Sequence, residues 1–141
     1  MNRLLSPWFV RLSVIACLAF APGCGKPSAK LVPVAGKVTL GGQPITAGHV
    51  SLVPLSKEEK AGLSSGSIGS DGSYKILTNN KEGAPLGKYK VTVTPSTMPT
   101  QGQQGPPVSI PMVYRDTQRT ILSIEVVDQP EAGRYDLKLN K

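Results

Sequence analysis

Few side chains in this 141-residue sequence have the types and spacing that catalysis or metal binding requires. His49 is the sole histidine, and its alternation with Val50 and Leu52 places it on the outer face of a strand. A histidine acts as a general base only when an oriented partner lies within hydrogen-bonding reach, and a lone histidine on a strand surface usually has no such role. We therefore interpret His49 as a surface residue.

Asp71 is the other candidate ligand, in the sequence Ser70-Asp71-Gly72-Ser73. Calcium loops place several carboxylates at alternate positions, whereas this segment has one, so we interpret Asp71 as a turn residue. The single histidine and the cysteines do not make a zinc ligand set. No Gly-x-Ser-x-Gly sequence lies on a predicted strand-to-helix turn. We expect no metal, no cofactor and no enzymatic activity.

The N-terminal segment, residues 1–23, has the pattern of a secretion signal. Arg3 and Arg11 are positive, no acidic residue precedes Glu58, and residues 12–20 form an apolar run. That run is too short to span a bilayer, which requires about 20 apolar residues. A buried N-terminal helix is the alternative, but Pro22-Gly23 ends the run abruptly, which favours a signal peptide.

Cys24 stands where the apolar run ends, and Gly23-Cys24 resembles the lipobox of bacterial lipoproteins. The resemblance implies that the Cys24 thiol carries a diacylglyceryl group, that the signal is cleaved before it, and that residues 24–31 form a short tether. Two or more acyl chains anchor a protein stably to a membrane. The lipobox prefers Leu three places before the cysteine, where this sequence has Ala21.

The same cleavage would remove Cys17, the only other cysteine, so we expect no disulfide. Lipoproteins held in the inner membrane often have Asp directly after the lipidated cysteine, where this sequence has Gly25. The resemblance therefore favours an exported protein anchored in the bacterial outer membrane.

The mature chain is moderately basic. Loss of Arg3 and Arg11 leaves 14 basic and 9 acidic residues, for a net charge of +5. The lysines are scattered and no basic stripe alternates with aromatic residues, so we expect no nucleic-acid partner. The charge suits an anionic lipid surface, or an envelope protein or polysaccharide as partner.

Hydrophobic residues alternate with period two along most of the mature chain, which predicts short β-strands. The 15 Gly and 13 Pro residues favour turns between them. We expect one all-β domain, an antiparallel seven-stranded β-sandwich. Residues 79–85 and the Pro- and Gln-rich residues 96–111 are predicted as loops. The predicted core comprises Val34, Val38, Val50, Leu52, Tyr89, Val91, Val93, Leu122, Ile124, Val126, Leu137 and Leu139.

Three segments carry a family pattern: residues 33–54 (PVAGKVTLGGQPITAGHVSLVP), 69–76 (GSDGSYKI) and 83–95 (GAPLGKYKVTVTP). They resemble the carboxypeptidase regulatory-like domain, a transthyretin-related (prealbumin-like) β-sandwich. The resemblance covers residues 32–140 and implies that fold. Its matching positions are structural glycines, turn residues and core residues, which imply no chemistry. They are Val34, Gly36, Val38, Gly42, Pro44, Gly48, Val50, Asp71, Gly72, Tyr74, Gly87, Tyr89, Val91 and Val93.

Residues 114–120 concentrate polar side chains beside an aromatic ring. One interpretation is a turn that leads into a strand, with Tyr114 half buried. The other is a partner-recognition patch of Tyr114, Arg115 and Arg119, used together with the 96–111 loop. Tyr and Arg are favoured in interfaces, and loops on a rigid scaffold often carry recognition.

We therefore expect a non-enzymatic, lipid-anchored cell-envelope module with a structural or interaction role. One alternative is a receptor domain that binds an envelope polysaccharide or a small ligand, and another, less favoured, is a hydrolase with an unrecognised site. Glycan sites usually expose aromatic rings. Three of the four tyrosines lie on apolar faces of predicted strands, which disfavours carbohydrate binding.

Overall fold

The computed structural model describes residues 29–56, 62–96 and 109–141. The predicted signal peptide, Cys24, most of the tether and the middle of the 96–111 loop lie outside these ranges. No helix within them is long and apolar enough to cross a membrane. The described elements are one short helix, α1 (Met112–Arg115), and the strands β1 (Leu31–Val32), β2 (Ala35–Leu40), β3 (Gln43–Pro44), β4 (Gly48–Pro54), β5 (Ser64–Ile68), β6 (Ser73–Lys75), β7 (Leu77–Thr78), β8 (Lys81–Glu82), β9 (Ala84–Pro85), β10 (Gly87–Thr94), β11 (Ser123–Val126) and β12 (Leu137–Leu139).

Seven of these strands form the path of the main sheet, in the order β11-β10-β4-β5-β6-β2-β12. The short strands β3, β7 and β8 pair along its margins, while β1 and β9 form a separate two-stranded ribbon. The sheet is strongly curled, in the shape of half a barrel. The prediction of a mostly β, antiparallel domain is confirmed.

One strand pairing departs from the antiparallel prediction. β12 runs parallel to β2, with Leu137 beside Val38 and Leu139 beside Leu40. β11 and β12 lie at opposite edges of the sheet. Residues 127–136 must therefore carry the chain from one edge to the other, and a crossover permits a parallel pair where a tight hairpin does not.

Most of the core consists of strand residues whose side chains alternate inward. Ten of the twelve predicted core residues are buried, and Leu122 and Ile124 are half buried because β11 is an edge strand. Full burial of an aliphatic side chain stabilises a fold by about 1.5–3 kcal/mol. Nine further residues belong to the core: Val32, Ile45, Ile68, Tyr74, Ile76, Ala84, Ile110, Tyr114 and Tyr135.

Two segments predicted as loops are partly regular or partly buried. Residues 79–85 contain β8 and β9, and Asn79-Asn80 forms the two-residue connection between β7 and β8, with φ of +50° and +64°. Asparagine tolerates the positive φ that such hairpins require. At the end of the 96–111 segment Ile110 is buried, since α1 follows directly and packs against β10.

Gly36 allows β12 to approach β2 closely. A Cβ at this position would meet the carbonyl oxygen of Tyr135 at a separation that real Cβ atoms do not show. The backbone nitrogen of Lys37 donates to Oδ1 of Asp136 at 2.8 Å, which holds the two segments in register. The close approach of β12 therefore explains why position 36 is a glycine.

Candidate functional site

An open groove of about 430 Å³ lies on the outer face of β4, β5 and β7. The strand register brings its lining residues together, because His49 pairs with Ser67 and Ser65 pairs with Leu77. We call it the β5 groove. Its lining residues are His49, Leu63, Ser65, Gly66, Ser67, Leu77, Asn79 and Asn80.

His49 is exposed, as the sequence predicted, and its Nδ1 lies 3.4 Å from Oγ of Ser67. A hydroxyl beside an imidazole is the basic unit of a nucleophile–base pair, whose atoms are typically about 2.6–3.2 Å apart and often farther apart when no substrate is bound. No second hydrogen bond orients the imidazole among the residues that the structure describes. Within the described part of the chain, no third group fixes the tautomer of the imidazole.

Ser64 also stands in a suggestive sequence, since Gly62-Leu63-Ser64-Ser65-Gly66 has the Gly-x-Ser-x-Gly spacing. Ser64 is the first residue of β5, so it opens a strand and does not lie on a strand-to-helix turn. It is also only 1% exposed. Its Oγ lies 2.7 Å from Oγ1 of Thr78, which donates to the carbonyl of Gly83 at 2.6 Å. Ser64 is thus a structural hydroxyl that links β5 to the β7–β8 hairpin.

Asp71 is a turn residue, as predicted. Its Oδ1 accepts hydrogen bonds from Oγ of Ser73 at 2.6 Å and from the backbone nitrogen of Ser73 at 3.0 Å. The bond from the Ser73 hydroxyl, followed by the backbone bond, lowers the pKa of the Asp71 carboxyl. Within residues 29–56, 62–96 and 109–141, no three His, Cys, Asp or Glu side chains come together to hold a metal ion.

The predicted recognition residues are divided between the core and the surface. Tyr114, in α1, is only 4% exposed, and its hydroxyl accepts a hydrogen bond from the backbone of Asn140 at 3.0 Å. Arg115 is exposed, and Arg119 is 70% exposed with Nε 3.9 Å from a carboxylate oxygen of Asp116. The two arginines are accessible to a partner, whereas the Tyr114 ring is buried. Cys24, the predicted lipidation site, lies outside the described residues.

All four tyrosines of the chain are buried, and each hydroxyl bonds to the backbone. None presents an exposed ring on which a sugar can stack. A buried hydroxyl needs a hydrogen-bond partner, and each of the four tyrosine hydroxyls has one. They run from Tyr74 Oη to Tyr135 O (2.6 Å), from Tyr89 Oη to Pro85 O (2.9 Å), from Asn140 N to Tyr114 Oη (3.0 Å) and from Val127 N to Tyr135 Oη (3.3 Å).

Sequence reasoning did not single out the serines and asparagines of the β5 groove. Ser65 and Ser67 alternate on one face, and Asn79-Asn80 has the composition of a two-residue hairpin turn. These signals indicate a polar strand and a turn. They do not indicate a groove, because the groove depends on which strands become neighbours.

No protein-family model, curated protein or solved structure matches the chain.

Proposed function

We propose that this protein is an exported, lipid-anchored module of the bacterial cell envelope, without enzymatic activity, that acts in a structural or interaction role. The observation that carries the proposal is Cys24, placed directly after a short apolar run that follows Arg3 and Arg11. Gly25 favours the outer membrane. Acylation would supply the two or more chains that stable anchoring requires.

The proposed fold family is the carboxypeptidase regulatory-like domain, with its transthyretin-like sandwich. Two positions of the family pattern support it. Gly36 lies where a side chain would collide with the backbone of Tyr135, and Gly48 lies where one would collide with the carbonyl of Thr94. An experimental structure with two stacked sheets would support the assignment, and a single open sheet would argue against it.

The non-enzymatic role is supported by the state of the reactive side chains. Ser64 is buried and bonded, Asp71 stabilises a turn, and His49 has one long contact to Ser67. The hydrolase alternative would have to use the exposed His49–Ser67 pair. It predicts ester hydrolysis that is abolished by Ser67→Ala, and absence of that activity supports the binding or structural role.

A second candidate function is small-ligand or polysaccharide binding, and the β5 groove is the observation that favours it. The groove offers hydroxyls from Ser65 and Ser67, amides from Asn79 and Asn80, and the apolar side chain of Leu63. Envelope polysaccharide that is retained by the intact protein and lost with Ser65→Tyr would favour this role. Retention that instead depends on Arg115 and Arg119 would favour the predicted recognition patch.

The anchor is tested by the intact mass of the protein purified from its native membrane. We expect a chain that begins at Cys24 and carries the mass of its acyl groups. Cys24→Ala should abolish that mass and leave the signal uncleaved or the protein outside the lipid fraction. Cys17→Ala is the matched control, because it removes the other cysteine and should leave the mature product unchanged. A free thiol on Cys24 would contradict the proposal.

A further inference from the structure

Three exposed leucines lie at one end of three neighbouring strands. Leu86 directly precedes β10, Leu55 directly follows β4, and Leu63 directly precedes β5. Their exposed fractions are 43%, 53% and 77%. β10, β4 and β5 are consecutive in the sheet, so the three leucines lie at the ends of adjacent strands.

The strand register makes these leucines a continuous row. The backbone nitrogen of Leu55 donates to the carbonyl of Lys88 at 2.9 Å, so Leu86, two residues before Lys88, is its diagonal neighbour. Ser64 pairs with Leu52, which sets Leu63 beside Val53 and again makes Leu55 the diagonal neighbour. Diagonal neighbours on one face of a sheet are about 7–8 Å apart. We call Leu55, Leu63 and Leu86 the leucine row.

The predicted tether enters the domain beside this row. Leu31 pairs with Pro85, the residue directly before Leu86. Lys30 Nζ lies 2.6 Å from Oδ1 of Asp128, which holds the same segment against the end of β11. The seven residues that lead from Cys24 to Leu31 span at most about 25 Å when fully extended. A membrane that holds Cys24 is therefore within reach of the end of the domain that carries the row.

We propose that the leucine row lies in the interfacial layer of the membrane that anchors Cys24. This inference rests on the proposed function, because it requires the acylated cysteine. Apolar side chains on an interfacial surface are buried about 5–10 Å into the boundary between headgroups and acyl chains. Insertion would remove the three leucines from water and would fix the orientation of the domain, with the β2–β3 turn at the far end.

The charges at this end indicate that contact with the bilayer is mainly apolar. Lys88 pairs in register with Glu125, and Lys30 forms its ion pair with Asp128. Lys88 and Lys30 thus each have a negative neighbour, and these four residues together carry no net charge. Insertion of the leucine row into the bilayer should therefore depend little on the fraction of anionic lipid.

The test places a fluorescent label in the row of the full-length, natively processed protein. Acylation occupies Cys24 and cleavage removes Cys17, so Leu86→Cys supplies a single reactive thiol for an environment-sensitive nitrobenzoxadiazole label. The protein is reconstituted into phosphatidylcholine vesicles with and without phosphatidylglycerol, and quenching is measured with spin-labelled lipids. Ile121→Cys is the matched control, since Ile121 is 72% exposed. Ile121 adjoins Leu122, whose carbonyl accepts a hydrogen bond from the backbone nitrogen of Val91. Ile121 therefore lies beside the part of β10 that follows Val91, about 20 Å from Leu86 at about 3.4 Å per residue.

We expect the label at position 86 to emit at shorter wavelength and to be quenched several-fold more strongly than the label at position 121, in both lipid mixtures. Leu55→Cys should behave like Leu86→Cys, and thermal unfolding should confirm that each variant is folded. Equal quenching at positions 86 and 121 in acylated protein would overturn this inference and leave the anchor intact. An intact mass without acyl groups would overturn both proposals.

Discussion

The phenolic oxygen of Tyr114 accepts a hydrogen bond from the backbone nitrogen of Asn140 at 3.0 Å. Tyr114 belongs to α1, which packs against β10, while Asn140 directly follows β12. β10 and β12 lie towards opposite edges of the curled sheet. The bond therefore ties α1, which packs beside the strand next to one edge of the sheet, to the end of β12 at the other edge.

Tyr114 should contribute to stability through both its ring and its hydroxyl. We expect Tyr114→Phe to lower the free energy of unfolding by about 0.5–1.5 kcal/mol, the net value of a typical hydrogen bond. Tyr114→Ala should cost about 3–5 kcal/mol, as for other buried aromatic residues. Arg119→Ala, which removes an exposed ion pair at 3.9 Å, should cost less than about 1 kcal/mol. Urea unfolding measures all three, and a Tyr114→Ala loss no larger than that of Arg119→Ala would contradict the burial of the ring.

Gly36→Ala should disrupt the parallel β2–β12 pair. The added Cβ meets backbone atoms of Tyr135, which cannot swing aside as a side chain can. We expect a loss of about 1–3 kcal/mol in unfolding free energy, the usual cost of overpacking. Gly69→Ala is the control, because its Cβ would come no closer than 3.2 Å, to the exposed Asp71 carboxylate. Similar melting temperatures for the two variants would show that β12 does not approach β2 this closely.

Tyr74 should make the fold sensitive to alkaline pH. Burial is the main cause that raises the pKa of its hydroxyl above the ordinary value of 10.0, and Asp136 adds to it. Because the folded-state pKa is the higher one, the stabilisation is complete below pH 10.0 and is lost as pH rises through the folded-state pKa. The ionised oxygen can no longer donate to the carbonyl of Tyr135, its partner at 2.6 Å.

The pH dependence is measured by urea unfolding of the wild type and Tyr74→Phe between about pH 8 and pH 12, on either side of the ordinary tyrosine pKa. At pH 8 the variant should be less stable by about 0.5–1.5 kcal/mol, because it lacks the hydrogen bond. Above pH 10.0 the wild type should lose stability more steeply than the variant. Parallel curves over this range would mean that Tyr74 does not titrate differently in the two states.

The 96–111 segment should be dispensable in its middle and required at its end. Residues 98–105 lie outside the described residues, and their composition predicts a loop that adds little to the core. Their deletion should change stability only slightly, since loop-closure cost varies by about 0.6 kcal/mol per doubling of length. Ile110→Ala should instead cost about 2–5 kcal/mol, because Ile110 is 3% exposed. Thermal unfolding checks both, and a deletion as damaging as Ile110→Ala would contradict the prediction.

Local features of the sequence determined the longer strands and ten of the nineteen core residues. Val91 and Val93 alternate with Thr92 and Thr94, and such alternation sets the inward face of a strand without knowledge of its neighbours. The turn at Asp71-Gly72 was equally local, because its hydrogen bonds lie within two residues. Cys24 likewise owes its proposed role to its adjacent residues, and that role stays a prediction.

Only the tertiary structure decided how distant segments meet. Tyr74 bonds to Tyr135 across 61 residues of sequence, and Lys37 bonds to Asp136 across 99. No short-range pattern encodes such pairs, because they depend on which strand edges come together once the whole core is packed. The parallel β12, the buried ring of Tyr114, the β5 groove and the leucine row all have this origin. Each depends on which segments, distant in the sequence, become neighbours in the folded chain.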